Sequence, residues 1–226
     1  MIYLLAGLAI LLVTLGPSLW VRYVLWRYSG EIEDMPGTGS ELALHLIERF
    51  KLDGVKVVKG DWGQNFYRPD KKTVSLSPNI FDGKSLTAVA VATHEIGHAI
   101  QFVREEPVSQ LRSRYLGKAH AIERIGGLIL MGAPVITLFA RSPSVFVLLG
   151  VVGIVTLLAS VLMYVAILPE EYDASFNKAL PILAEGYVPE SHMPAARSIL
   201  KACAYTYVAG ALADIIRLWR WIRFLR

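Results

Sequence analysis

Thr93-His94-Glu95-Ile96-Gly97-His98-Ala99 is the stretch around which this chain organises. It lies in an apolar run, with small residues over 88–92 and a cap-forming Ser85 before it, and the pattern predicts one helix. Two histidines four apart sit on the same helix face, one turn above each other, and can grip one metal ion together. Neutral imidazole suits Zn²⁺, and a catalytic zinc keeps one position open for water. Glu95 falls beside the first histidine, where a carboxylate can reach that water and take its proton. The pattern points to cleavage of peptide bonds. The competing reading is a pair of histidines packed inside a core helix. Polar Gln101 and Arg104, about one turn beyond His98, favour the site.

A catalytic zinc needs a third protein ligand. No histidine follows His98 at the short spacing of the HExxHxxGxxH class, Glu105 and Glu106 occupy that region, and His120 is far down the chain. The third ligand is therefore expected to be a carboxylate from a later helix. Leu168-Pro169-Glu170-Glu171-Tyr172-Asp173-Ala174-Ser175 offers two candidates. Pro169 can open a helix, and Glu171 then faces inward from its first turn. Glu170 is the rival, and its plainer reading is a surface carboxylate that offsets the helix dipole.

Hydropathy sets the wider frame. The chain has 226 residues and 54% apolar content, with mean hydropathy +0.45, which is not the profile of an ordinary soluble domain. Residues 2–21 carry no charge and are long enough to span a bilayer. An uncleaved anchor is expected there, since a signal peptide would have a basic start and a shorter apolar stretch. Residues 145–168 form a second uncharged run, 24 residues long. Residues 125–140 are apolar over only 16, at the short limit, but Arg141-Ser142-Pro143-Ser144 follows as a turn and makes the two runs a helical hairpin. The plainer reading of each run is a buried core helix.

The net charge of +4 and pI near 9.2 could suggest nucleic acid, but placement argues against that partner. Arg22, Arg27, Arg104, Arg112, Arg114 and Lys118 lie towards span ends on the side of the HExxH helix, whereas the hairpin turn has only Arg141. The positive-inside rule puts the catalytic domain in the cytoplasm and the N-terminus outside. Trp20, Tyr23 and Trp26 read as an interfacial belt after the first span. A hairpin returns the chain to the same side, so a carboxylate near 170 can meet His94 and His98. Cys203 is the single cysteine, which excludes an intrachain disulfide and fits a reducing compartment. It reads as a packing residue.

Between the spans, residues 34–40 form a linker, Ser40 is expected to cap a helix over 41–50, and 55–58 and 73–77 read as short strands. The second is expected as an edge strand beside the metal helix, able to take a substrate peptide by strand addition. Residues 112–124 form a charged helical connector, and 195–216 a long helix rich in small residues. Its uncharged core is too short to span, and Arg217, Arg220 and Arg223 among Trp219, Trp221 and Phe224 suggest a helix lying on a membrane surface. The expected fold class is a mainly α integral membrane protein, with three transmembrane helices, a zincin-like catalytic domain with a small β-sheet, and an interfacial C-terminal helix. Its parts are an anchor over 1–27, the first catalytic part over 36–124, a transmembrane hairpin over 125–168, and a second catalytic part over 169–226.

With these residues laid out, the chain resembles the YugP-type neutral zinc metallopeptidases of the membrane. The likeness rests on Lys72-Thr73-Val74-Ser75-Leu76-Ser77, on the segment from Ala90 through His94-Glu95-Ile96-Gly97-His98 to Gln101, on the Leu168 to Ser175 stretch, and on Ala204-Tyr205-Thr206-Tyr207-Val208-Ala209. The family pattern LPxE[FY]xAS aligns its glutamate with Glu171. The resemblance thus implies His94, His98 and Glu171 as zinc ligands and Glu95 as general base. The segment is also similar to the ExxxD ligand helix of HtpX-type membrane proteases, with Ser175 standing where those have aspartate. One departure is visible: family members carry Asp-His-Tyr-Asp-Pro before the edge strand, and this chain has Asn65-Phe66-Tyr67-Arg68-Pro69. Tyr205 or Tyr207 is a candidate oxyanion support. A protein or peptide substrate and the lipid bilayer are the expected partners. The alternative is a non-catalytic membrane adaptor that holds zinc structurally, which a fourth His or Cys ligand would favour.

Overall fold

The computed structural model describes the backbone of residues 2–223, with the side chains of Leu5 and of residues 7–213. The chain divides into two units: Met1–Leu19, Leu111–Ile167 and Thr206–Arg226 form one, and Trp20–Gln110 with Leu168–Tyr205 form the other.

In the second unit, the end of helix α1 (Ile2–Arg27), from Trp20 on, meets the HExxH helix. Thr87 donates from Oγ1 to the Leu25 carbonyl at 2.9 Å and from its backbone N–H to the Tyr28 carbonyl at 3.1 Å. Helix α2 (Gly39–Arg49) is capped by Thr38 and not by the expected Ser40. Glu41, three residues on, completes a capping box: its backbone N–H donates to Thr38 Oγ1 at 3.2 Å, and its Oε2 accepts from the Thr38 N–H at 2.7 Å. Ser40 is instead buried in the first turn.

Strands β1 (Lys56–Lys59), β2 (Phe66–Arg68) and β3 (Thr73–Leu76) form a sheet in the order β1-β3-β2, parallel between β1 and β3 and antiparallel between β3 and β2. The strand expected at the edge, Thr73–Leu76, is therefore the central one, and its Val74 and Leu76 are fully buried. The edge strand beside the metal helix is β2, whose Tyr67 ring packs against Phe102 at 5.8 Å. After one turn of helix, α3 (Pro78–Phe81), comes α4 (Leu86–Val103). Ser85 caps α4, accepting the Ala88 N–H at 3.1 Å, and every residue from Leu86 to Gln101 is buried. A helix apolar on nearly all sides belongs inside its domain, and its few polar side chains are the ones that need explaining.

In the first unit, α5 (Gln110–Ala140) is one continuous helix, so the charged connector and the short apolar run are a single element. Helix α6 (Pro143–Val165) returns beside it. A Cβ on Gly126 would lie 3.2 Å from the Gly153 carbonyl, and one on Gly153 would run into Leu130, so small residues let the two backbones approach closely. Tyr164, 3% exposed, donates its hydroxyl to Glu123 Oε2 and accepts from His120 Nδ1, both at 2.8 Å. The outer faces are apolar, with Leu138 75%, Phe139 82% and Leu162 69% exposed. Among the described residues, three helical runs, one within α1 and two containing α5 and α6, are long and apolar enough to be candidates for crossing a membrane.

Helix α7 (Leu168–Tyr172) opens the return into the second unit and widens into π-helical turns over Asp173–Ala179. A short α8 (Leu180–Ile182) follows, and helical geometry breaks at Gly186, whose φ of 108° falls where glycine is favoured. The last helix is α9 (Met193–Arg223). The expected interfacial face of Arg217, Trp219, Arg220, Trp221, Arg223 and Phe224 lies outside the described side chains.

Candidate metal centre

Helix α4 stacks His94 and His98 with ring centroids 4.8 Å apart and nearly edge to face. Both are buried, at 4% and 1% exposure, and α7 brings Glu171, 2% exposed, against them. Glu171 Oε2 lies 3.4 Å from His94 Nε2 and 3.3 Å from His98 Nε2. The three donor atoms fall within 4.8 Å of one another. Two ligands about 2.1 Å from a tetrahedral ion sit roughly 3.4 Å apart. The two histidine–glutamate spacings and the donor set of two imidazoles and one carboxylate therefore fit zinc. Burial alone would favour a neutral Glu171, but the facing His98 and His94 outweigh it and hold the carboxyl ionised, below the usual carboxylate range.

Gly97 explains how α7 and the π segment come so near. A Cβ there would lie 2.6 Å from the Ala174 carbonyl oxygen, so the second variable position of the motif must be empty of side chain for the backbones to meet. That contact places Glu171 and Ser175, on either side of Ala174, against the two histidines.

The far ring nitrogens are held as well. His94 Nδ1 lies 3.0 Å from Ser175 Oγ, and His98 Nδ1 lies 3.0 Å from Gln101 Oε1. Partners of this kind fix ring orientation and leave the Nε2 atoms turned to the shared site. Glu170 is fully buried, with Oε1 3.9 Å from His98 Nδ1. This corrects its reading as a surface carboxylate. The sequence marked Gln101 as polar and Ser175 as standing in for aspartate; it gave no sign that Glu170 lies inside.

Glu95 is 5% exposed, and its Oε2 is buried without a hydrogen-bond partner in the protein. A buried orphan acceptor is costly in a purely structural role, and it suits a group whose partner is a reacting proton. Burial, and then the charges of Glu95 and Glu171, push the Cys203 thiol well above its usual range. That agrees with a packing role and not a nucleophile's. Tyr207 belongs to the other unit, where its ring stacks on Tyr164 at 6.4 Å, and Tyr205 is 41% exposed. Neither placement assigns the oxyanion role sketched for them.

The sequence profile of the family described as "Putative neutral zinc metallopeptidase" matches residues 2–226. The chain belongs to this family. It is 29% identical over 215 residues to "Putative membrane protease YugP" of Bacillus subtilis (strain 168), covering 92% of this chain and 91% of that protein. No solved structure gives a significant match. The departure from the metallopeptidase pattern at residues 65–69 falls on β2. There the retained Tyr67 is the buried residue on Phe102, while Phe66 and Arg68, on the opposite face by strand alternation, pair with each other, guanidinium 5.1 Å above the ring.

Proposed function

We propose that this metallopeptidase is a zinc-dependent endopeptidase of the cell membrane, with His94, His98 and Glu171 as ligands and Glu95 as general base. The observation that carries the reading is the buried convergence of the three donors, with Glu171 Oε2 3.4 and 3.3 Å from the two histidine Nε2 atoms. When bound there, zinc polarises a scissile carbonyl and makes a water acidic near neutral pH. Glu95 accepts the proton of the attacking water as the new C–O bond forms. It then hands that proton to the amine nitrogen as the C–N bond breaks. Ser175 and Gln101 keep the two imidazoles facing the donor cluster throughout. The substrate is a protein or peptide, for which the outer edge of β2 offers strand pairing.

The bilayer is the second partner. The run of basic residues near the span ends, set against a lone Arg141 in the hairpin turn, supports a multi-pass arrangement with the catalytic unit in the cytoplasm and no nucleic-acid partner. Among the described residues the donor group is His94, His98 and Glu171. A structural zinc site takes four protein ligands, so three favour an enzyme over an adaptor. The test is zinc content of detergent-purified protein. One zinc per chain in the wild type, lost in Glu171→Ala, supports the site. Wild-type protein that takes up none when zinc is added refutes it.

A further inference from the structure

Beyond the three donors, the most constrained polar group of the site is the fully buried side-chain amide of Gln101. Both hydrogens of Nε2 have acceptors: the Glu170 backbone carbonyl at 3.0 Å and Asp173 Oδ2 at 2.8 Å. The amide oxygen is therefore the atom that faces His98 Nδ1, and that ring nitrogen must carry the hydrogen between them. Glu170 Oε1 offers a second, more distant acceptor to the same nitrogen. With the hydrogen fixed on Nδ1, Nε2 on the Glu171 side is the nitrogen of His98 left to bind a metal ion. Turning the amide over would set oxygen against two oxygens and N–H against N–H.

Asp173 is what forbids that turn. Its Oδ1 accepts from Asn177 Nδ2 at 2.8 Å, and its Oδ2 is paired with the Lys178 ammonium. Lys178 also reaches Glu106 Oε2 at 2.7 Å, just past the end of α4. A clamp thus runs from the end of the metal helix, through Lys178 and Asp173, back to the amide beside His98. We propose that Gln101 is a positioning residue for the metal centre, oriented by the Asp173–Lys178–Glu106 clamp so that it selects the Nδ1–H form of His98 and presents Nε2 to the metal. This rests on the zinc reading above. A carboxylate often takes this place behind a zinc-bound histidine. Here its surroundings are a carbonyl and a carboxylate, so the site accepts an amide and rejects an acid.

The experiment is zinc affinity by chelator competition on the full-length protein in detergent, alongside the visible spectrum of the cobalt-substituted form. Gln101→Leu keeps the volume and removes the hydrogen bonds; its affinity is expected to fall about 10- to 100-fold, with a changed cobalt spectrum. Gln101→Glu is expected to lose affinity as well, through the acid–acid contact. Adding Asp173→Asn to Gln101→Glu puts a donor opposite the new acceptor and should recover part of the loss, the Glu170 carbonyl still facing an acid oxygen; simple packing damage would recover none. Asp173→Asn alone, on a partly exposed residue, gives a milder loss and serves if Gln101→Leu does not fold. Wild-type zinc uptake with both Gln101→Leu and Asp173→Asn within twofold of it overturns this inference alone. A wild type that takes up no zinc overturns the zinc reading and this inference with it.

Discussion

Gly97→Ala separates two opposed effects of one methyl group. In an open helix, glycine to alanine favours the helical state by about 1 kcal/mol. Gly97 is not open: the added Cβ would lie 2.6 Å from the Ala174 carbonyl oxygen and 3.2 Å from that residue's Cα and carbonyl carbon, whereas ordinary contact begins at 3.4 Å. The π segment must therefore retreat by about 0.8 Å, the difference between 3.4 and 2.6 Å. Metal–ligand distances tolerate only about 0.2 Å. Glu171, three residues before Ala174, is carried out of reach of an ion held by the two histidines. Overpacking of this kind costs about 1–3 kcal/mol, which exceeds the helix gain. The expected result is a lower melting temperature together with zinc affinity at least tenfold weaker by chelator competition. Gly117→Ala, at a glycine with open space around it, is the control and should be neutral or stabilising. A Gly97→Ala protein that melts higher and binds zinc like the wild type would refute the argument that this contact seats the third ligand.

Glu95→Gln should keep one zinc per chain and abolish cleavage of an unfolded protein substrate; full activity would remove Glu95 from the mechanism. Ser175→Ala takes away the hydroxyl beside His94 Nδ1 and should weaken zinc about tenfold in the same competition assay. Thr38→Ala breaks the capping box and should cost about 1 kcal/mol in thermal unfolding while leaving zinc binding alone. Zinc at about 100 times its dissociation constant should stabilise the wild type by roughly 2.7 kcal/mol and leave Glu171→Ala unshifted, read by thermal melts with and without chelator.

The elements legible in the sequence are those whose signal is local or long. The metal helix announces itself through an apolar run, a serine cap and a histidine pair one turn apart. The apolar runs follow from hydropathy. What escaped depends on contacts between distant segments. Strand β2 is three residues long and stops at Pro69, too short to show alternation, so β3 passed for an edge strand when it is the centre of the sheet. Thr38 and Ser40 are both cap-forming residue types, serine the better by intrinsic preference, and what reverses that order is that Glu41 lies three residues after Thr38. Glu170 and Glu171 are chemically identical neighbours in the first turn of α7. Both are buried, Glu171 with Oε2 between the histidines and Glu170 behind His98. Adjacent helical residues point in directions about 100° apart, so only the packing of α7 on α4 could distinguish them.

The order of the donors along the chain has a consequence in time. Synthesis delivers His94 and His98 first, then the whole α5–α6 hairpin, and only afterwards Glu171. A nascent chain complete through Ile167 owns two donors of the three, fewer than a catalytic zinc requires. The centre cannot assemble until the hairpin has been made and the chain beyond it has come back to α4. On the zinc reading proposed above, latency during biogenesis follows from the connectivity alone.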